Sequence, residues 1–428
     1  MSQYKKHALV GAGYMLPFIL ITFFFFLWGF ARAILDVLNP FFQETFEINK
    51  TQASMIQVVT YLAYFLMAIP AGLLIKRYGT RYGVLIGLLI FGGGALSFIF
   101  SSFFGTSIFW FYLLLLFVIG CGLACLEVAA NPYVTLLGEP ETAASRINRA
   151  QSFNGLGCIC GSLLGGVYCF SSEDPDISSP YLLIGIIVIL VAILFSRAKL
   201  PEFVLENKKE QGRTKSTEQK SIWRHPLFLF GLLALFCYEV AEIAINSFYI
   251  NYAAENHIAE WMGNFFEQKF NTRLNPKFIA SIVLSVGLFL FMCGRFLGSW
   301  IMRFIRAEKV LLICAAGTVI TTTLVVLDIY MVSFIASMLI FVFESIMFPT
   351  IFALSIKGLG NLTQKASAIL MMTPIGGAVG TILMGMAADH RDMTFSFWVP
   401  LIAFMVVLCY STVLIIKQKA GKVNKLKE

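Results

Sequence analysis

The sequence predicts an all-α membrane protein with 12 transmembrane helices arranged as two six-helix halves. Three observations predict it. The 428-residue chain is 58% hydrophobic and only 13% charged, with a mean hydropathy of +0.80. A soluble chain would carry about a quarter charged residues. Twelve apolar stretches reach the roughly 20 residues that a spanning helix needs. The first six are separated from the last six by a long polar segment, 197–225. The domains expected are therefore 1–196, a linker 197–225, and 226–428.

The stretches follow in order. The first, 16–40, is too long for a cleaved signal core, is interrupted by Arg32 and Asp36, and has no A-x-A-like site after it. It is read as a retained span. Stretches 52–75 and 82–102 flank the basic turn GLLIKRYGTRYG (72–83), and 108–137 carries Glu127 near its middle. Stretch 146–171 holds Gly155, Gly157, Gly161, Gly165 and Gly166, a small-residue stripe suited to close helix packing. Stretch 180–196 closes the first half. In the second half, 226–253 carries Glu239, Glu242 and Asn246, 276–302 carries Arg295, and 330–356 carries Glu344. Stretches 307–327, 362–388 and 395–417 complete the twelve. None alternates polar and apolar residues as barrel strands do. The segment 254–277 is expected to be a long loop with a short amphipathic helix through Trp261, Phe265 and Phe266.

Lysine and arginine set the orientation. With both termini cytoplasmic, 25 of the 32 basic residues fall on the inner side and 5 on the outer. The net charge of +8 then matches an anionic inner leaflet, and nucleic acid is not an expected partner. All nine cysteines lie in or beside apolar runs and are read as small hydrophobes, not as disulfide, metal or redox groups. The four histidines sit at span ends or in loops. Any proton chemistry at depth must then use carboxylates.

The halves resemble each other. Gly72…Arg77 aligns with Gly298…Arg303, Ala144-Ser145 with Ala366-Ser367, Glu127-x4-Pro132 with Glu344-x4-Pro349, and Asp36 with Asn246. A parallel six-span repeat is the build of two-halved carriers, whose sites lie near the bilayer midplane. A buried Asp or Glu costs about 2.5–3.5 kcal/mol on insertion scales, so it generally serves a pathway. Seven ionisable groups at depth point to a carrier of polar solute. Arg32 and Asp36, spaced i, i+4, share a helix face; they either neutralise each other or line the cavity. Glu127 has no cation in its own helix and is the better proton carrier, with Asn131 one turn away. Its bland alternative is a structural hydrogen bond to a neighbouring helix. Glu242 and Asn246 are candidates for contact between the halves, and Trp28 for a flat apolar face against a ligand. No H-E-x-x-H or G-x-S-x-G string suggests an enzyme.

Several strings carry a more specific signal: FFLWGFARAILDVLNPFFQ (25–43), GCGLACLEVAANPYVTLLG (120–138), SRINRAQSFNGLG (145–157), GRFLGSWIM (294–302) and SIMFPTIFALSIKGLG (345–360). They resemble the fucose/proton symporter family of the major facilitator superfamily, which also includes glucose/galactose and N-acetylglucosamine carriers. The resemblance covers about 20–390. It implies the major facilitator fold and import of a monosaccharide with protons, without a cofactor or metal, by a monomer in the bacterial inner membrane. By position, the family's first-helix aspartate falls on Asp36, its fourth-helix glutamate on Glu127, and its sugar-contacting amide pair on Gln151 and Asn154. Amides suit sugar hydroxyls because they both donate and accept. The alternative is interhelical glue. Two departures stand out. Lys76 occupies the position of the superfamily's loop aspartate, and Ala31-Arg32-Ala33-Ile34 replaces an asparagine-rich stretch of fucose carriers. Rival readings are a proton-driven exporter of amphiphiles and a non-transporting sugar receptor.

Overall fold

The computed structural model describes residues 10, 13–103, 108–138, 143–171, 178–197, 222–256, 261, 263–264, 267–268, 274–302, 304–359 and 362–425. Among them there is helix and no strand. In order, the helices that carry the argument are α1 (Met15–Thr45), α2 (Lys50–Ala53), α3 (Met55–Tyr78), α4 (Thr80–Leu96), α5 (Ile108–Leu136), α6 (Ala143–Phe170) and α7 (Ser178–Arg197). They continue with α8 (Pro226–Glu255), α9 (Pro276–Ile301), α10 (Ala307–Val326), α11 (Tyr330–Glu344), α12 (Met347–Ile356), α13 (Thr363–Leu370), α14 (Ile375–His390), α15 (Met393–Ser396) and α16 (Trp398–Lys425). Most of the linker 197–225, and Phe265 and Phe266, fall outside the described residues.

Eleven described helical runs are long and apolar enough to cross a membrane, where the sequence predicted twelve. The difference is 362–388. Pro374 lacks the N–H that would continue the helix and clashes with the preceding turn. The chain therefore stops at Leu370 and restarts at Ile375. Around the break the bonds tighten to i→i−3: Thr373 N to Leu370 O at 3.1 Å, and Gly376 N to Thr373 O at 2.8 Å. The Thr373 hydroxyl also donates to Leu370 O at 2.7 Å. These bonds keep broken backbone satisfied where water is scarce. Large apolar side chains such as Ile69, Leu73, Leu190, Ile320 and Ile402 remain exposed. A bilayer covers such a surface; water would not.

The chain forms two compact units, 1–38 with 59–215, and 39–58 with 216–428. In the first, α4 packs on α5 and α7, and α1 meets α6 backbone to backbone. Gly157 faces the carbonyl of Phe26 and Gly161 that of Phe30, with no room for a Cβ at either glycine. Gly79 (φ 90°) starts α4 in a left-handed conformation, and Arg81 donates to Ser196 O at 2.8 Å at the end of α7. Arg146 is fully buried and donates to Val134 O at 2.9 Å, satisfying one of the last carbonyls of α5.

The second unit repeats the glycine device. Gly376 faces the Phe236 carbonyl and Gly380 that of Val240. The glycine partners are offset by 219 (157 to 376, 161 to 380) and the carbonyl partners by 210 (26 to 236, 30 to 240). The sequence repeat has comparable offsets, 210 from Asp36 to Asn246 and 217 from Glu127 to Glu344. α8 is the centre of this unit, contacting α9, α12, α14 and α16.

The segment 39–58 belongs to the second unit through polar contacts. Asn39 is fully buried and donates to Ser247 Oγ at 2.8 Å. Gln43 and Asn251 exchange amide bonds, the shorter being 2.9 Å. Lys50 pairs with Glu255 at 2.8 Å and Lys277 with Glu44 at 2.6 Å. Asp389 accepts from Lys50 N at 3.0 Å, Thr51 N at 2.8 Å and Thr51 Oγ1 at 2.6 Å, placing a carboxylate where the start of α2 needs one.

Candidate functional site

In the first unit, the polar groups at depth come from α1, α3, α5 and α6. Trp28, one turn before Arg32, is buried, and its indole Nε1 donates to Tyr64 Oη at 2.8 Å. Tyr61 lies against Tyr64, ring centroids 6.0 Å apart. The positive charge of Arg32 acts on both the Glu127 carboxylate and Tyr64. Arg32 and Glu127 are half-buried, and Asp36 is buried. The structure therefore gathers Trp28, Tyr64, Arg32 and Glu127. Glu127 has no cation in its own helix, and the charge that acts on it comes from Arg32 on α1.

Gln151 and Asn154 fare differently. Gln151 is half-buried on α6. Asn154 donates through Nδ2 to the carbonyl of Phe25 at 3.1 Å, while its own carbonyl abuts Gly29. At least one of its donors thus works between α6 and α1. The side chain of Asn131 lies outside the described residues. Tyr64 was missed by sequence reasoning. Its signal is a position one turn beyond Tyr61, hidden by the abundance of aromatics in the chain.

In the second unit, Glu239 and Glu242 are buried on α8, and Asn246 donates to Glu242 Oε1 at 3.3 Å. The hydroxyl of Tyr238 feels the charges of Glu242, Glu344, Glu239 and Arg295. Arg295 donates through Nε to the carbonyl of Ser345 at 3.2 Å and lies 4.8 Å from the Phe291 ring centre. The reason is local. Pro349 has no N–H for the carbonyl four residues back, so Ser345 O needs another donor. Glu344, fully buried, precedes that carbonyl. Glu344 and Arg295 both act electrostatically on Tyr238. Among the described residues no group of His, Cys, Asp and Glu could hold a metal.

Long apolar helices, a repeated packing device in two units, and charged groups held at depth in each define a membrane carrier. The Major Facilitator Superfamily model matches residues 21–373. A glucose/galactose transporter of Brucella abortus (strain 9-941) is 30% identical over 413 residues, covering 92% of this chain and 92% of its own. The L-fucose-proton symporter of Escherichia coli K12 is 32% identical over 448 residues, covering 96% and 94%. The crystal structure of the transporter FucP in the outward conformation superposes with a TM-score of 0.65 at 30% identity, covering 94% of this chain and 99% of that one. The chain belongs to the major facilitator superfamily, and within it to the fucose/proton symporter family.

Proposed function

We propose that this protein imports a monosaccharide together with protons across a bacterial inner membrane by alternating access, with both termini cytoplasmic. The sugar is fucose-like, or glucose or galactose. The observation that carries the reading is the group formed by Glu127, Arg32, Tyr64 and Trp28. A carboxylate held at depth beside a cation of a neighbouring helix suits a proton pathway. An indole and a phenol beside it offer flat faces to a sugar ring. Gln151 supplies an amide from α6. Asp36, Asn154 and Asn131 complete the proposed binding set, and Glu242 and Asn246 are the candidates that the second half offers.

Protonation from the outside would neutralise Glu127 and let the loaded carrier reorient. Release inside would restore the charge. No enzyme chemistry is needed.

The test is uptake of labelled L-fucose, D-glucose and D-galactose into proteoliposomes under an inward proton gradient. Accumulation of one of them, collapsed by a protonophore, is expected; equilibration without accumulation would remove the proton from the mechanism. Orientation is tested separately with Lys208→Cys, in the linker. Labelling by an impermeant thiol reagent on intact cells would invert the proposed topology.

A further inference from the structure

A pocket lies far along α8 from its buried carboxylates, where α8 ends and the 327–330 turn begins. It encloses about 170 Å³ and is lined by Tyr252, Asn256, Trp261, Asp328, Tyr330 and Ser333 among others. In the proposed orientation it opens on the outer face. Trp261 (48% accessible) and Tyr330 (57%) line it and are exposed, while Tyr252 is a buried wall, its ring 4.7 Å from that of Phe397.

The turn is held in an unusual conformation. Asp328 (φ 51°) and Tyr330 (φ 28°) are both left-handed without being glycine. Asp tolerates this region, but a bulky tyrosine does not. Ser333 clamps the turn: its Oγ accepts from Ile329 N at 2.7 Å and donates to Leu324 O at 2.7 Å. A connection with no other task would use glycine or asparagine here. Strain of this kind tends to persist where it aims side chains. Asn256 is fixed as well, donating to Thr394 Oγ1 at 3.3 Å and bonded to Tyr252.

Membrane proteins carry Trp and Tyr at the interface for anchoring alone. That explains Trp261 and Tyr330 singly. It does not explain a concave site, a carboxylate lining it beside the rings, or the strained backbone of Tyr330. Flat aromatic faces suit the C–H face of a pyranose, and a carboxylate with an amide suits its hydroxyls.

We propose that this pocket is a peripheral pyranose site that captures sugar at the outer face before it reaches the Glu127 site. The proposal rests on the sugar-transport reading above. Two variants probe it. Asp328→Asn removes the charge while keeping a residue that accepts a left-handed backbone, and Trp261→Phe assigns the indole.

The experiment uses the full chain in nanodiscs with 5-fluorotryptophan at its six Trp positions, read by ¹⁹F NMR. Titrants are D-galactose, D-glucose and L-fucose, with sorbitol as an acyclic control. The Trp261 resonance should shift saturably with one of the pyranoses and not with sorbitol. The shift should persist in Gln151→Ala and weaken roughly tenfold in affinity in Asp328→Asn, as loss of one charge-assisted hydrogen bond implies. Movement at Trp28 with silence at Trp261 would overturn the pocket and leave transport standing. Silence at both would overturn both. A Trp261 shift that vanishes with central binding in Gln151→Ala would also overturn the proposal, because the resonance would then report only on the central site.

Discussion

Replacing Asn154 and Gln151 by alanine, one at a time, separates two jobs that sequence alone assigns to both. Asn154 spends an amide hydrogen on the Phe25 carbonyl at 3.1 Å, in the zone where α1 and α6 touch through Gly29, Gly157 and Gly161. Interhelical side-chain bonds in bilayers average about 0.6 kcal/mol and reach about 1.7. Asn154→Ala should therefore lower stability by about that amount. Its sugar affinity should fall by less than about twentyfold, since 1.4 kcal/mol is one decade and the bond is worth at most about 1.7. Gln151 has no such contact among those described. If it meets a sugar hydroxyl, losing the bond costs about 1–3 kcal/mol, or roughly 5–150-fold in affinity, with little change in stability. The assay is thermal unfolding in detergent beside equilibrium binding of the transported sugar. The reasoning is refuted if Asn154→Ala loses more affinity than Gln151→Ala while unfolding at the wild-type temperature.

Two further outcomes test the packing. Gly161→Ala should destabilise by about 1–3 kcal/mol because its Cβ meets the Phe30 carbonyl, although alanine is the better helix former by about 1 kcal/mol. Gly72→Ala, with nothing within 4 Å, should be neutral or stabilising; equal behaviour of the two in thermal unfolding would contradict the backbone contact. Asp389→Ala removes an anion that accepts from two backbone N–H groups and the Thr51 hydroxyl at the start of α2, about 1–2 kcal/mol together. A thiol placed at Ala53, fully buried, should then label about tenfold faster; an unchanged rate would show that Asp389 does not hold the segment.

The span pattern was legible because a bilayer demands long apolar runs with internally satisfied backbone. The repeat was legible too, and the glycines at 157 and 161 and at 376 and 380 give it physical content as two copies of one helix crossing. The break at Pro374 was visible in principle, but hydropathy averages over it. Glu127 stood out as a carboxylate in an apolar run, whereas its neighbours did not. Arg32 reaches it from another helix, and i, i+4 spacing drew attention to Asp36 instead. The attachment of 39–58 to the second unit was hidden for the same reason. Asn39–Ser247 and Gln43–Asn251 each span 208 residues, an equal offset that only a search for paired polar positions would have found.

The most direct test of the account is Glu127→Gln, which keeps the side chain's shape and mimics its protonated form. Purified protein is reconstituted in proteoliposomes, and two modes are measured on one preparation with the transported sugar. Accumulation driven by an inward proton gradient should be abolished. Counterflow, which needs no net proton movement, should continue. Asp36→Asn is expected to impair both modes, since it removes a carboxylate one turn from Arg32. If Glu127→Gln still concentrates sugar with wild-type pH dependence, the proton travels on another group and the central claim is wrong.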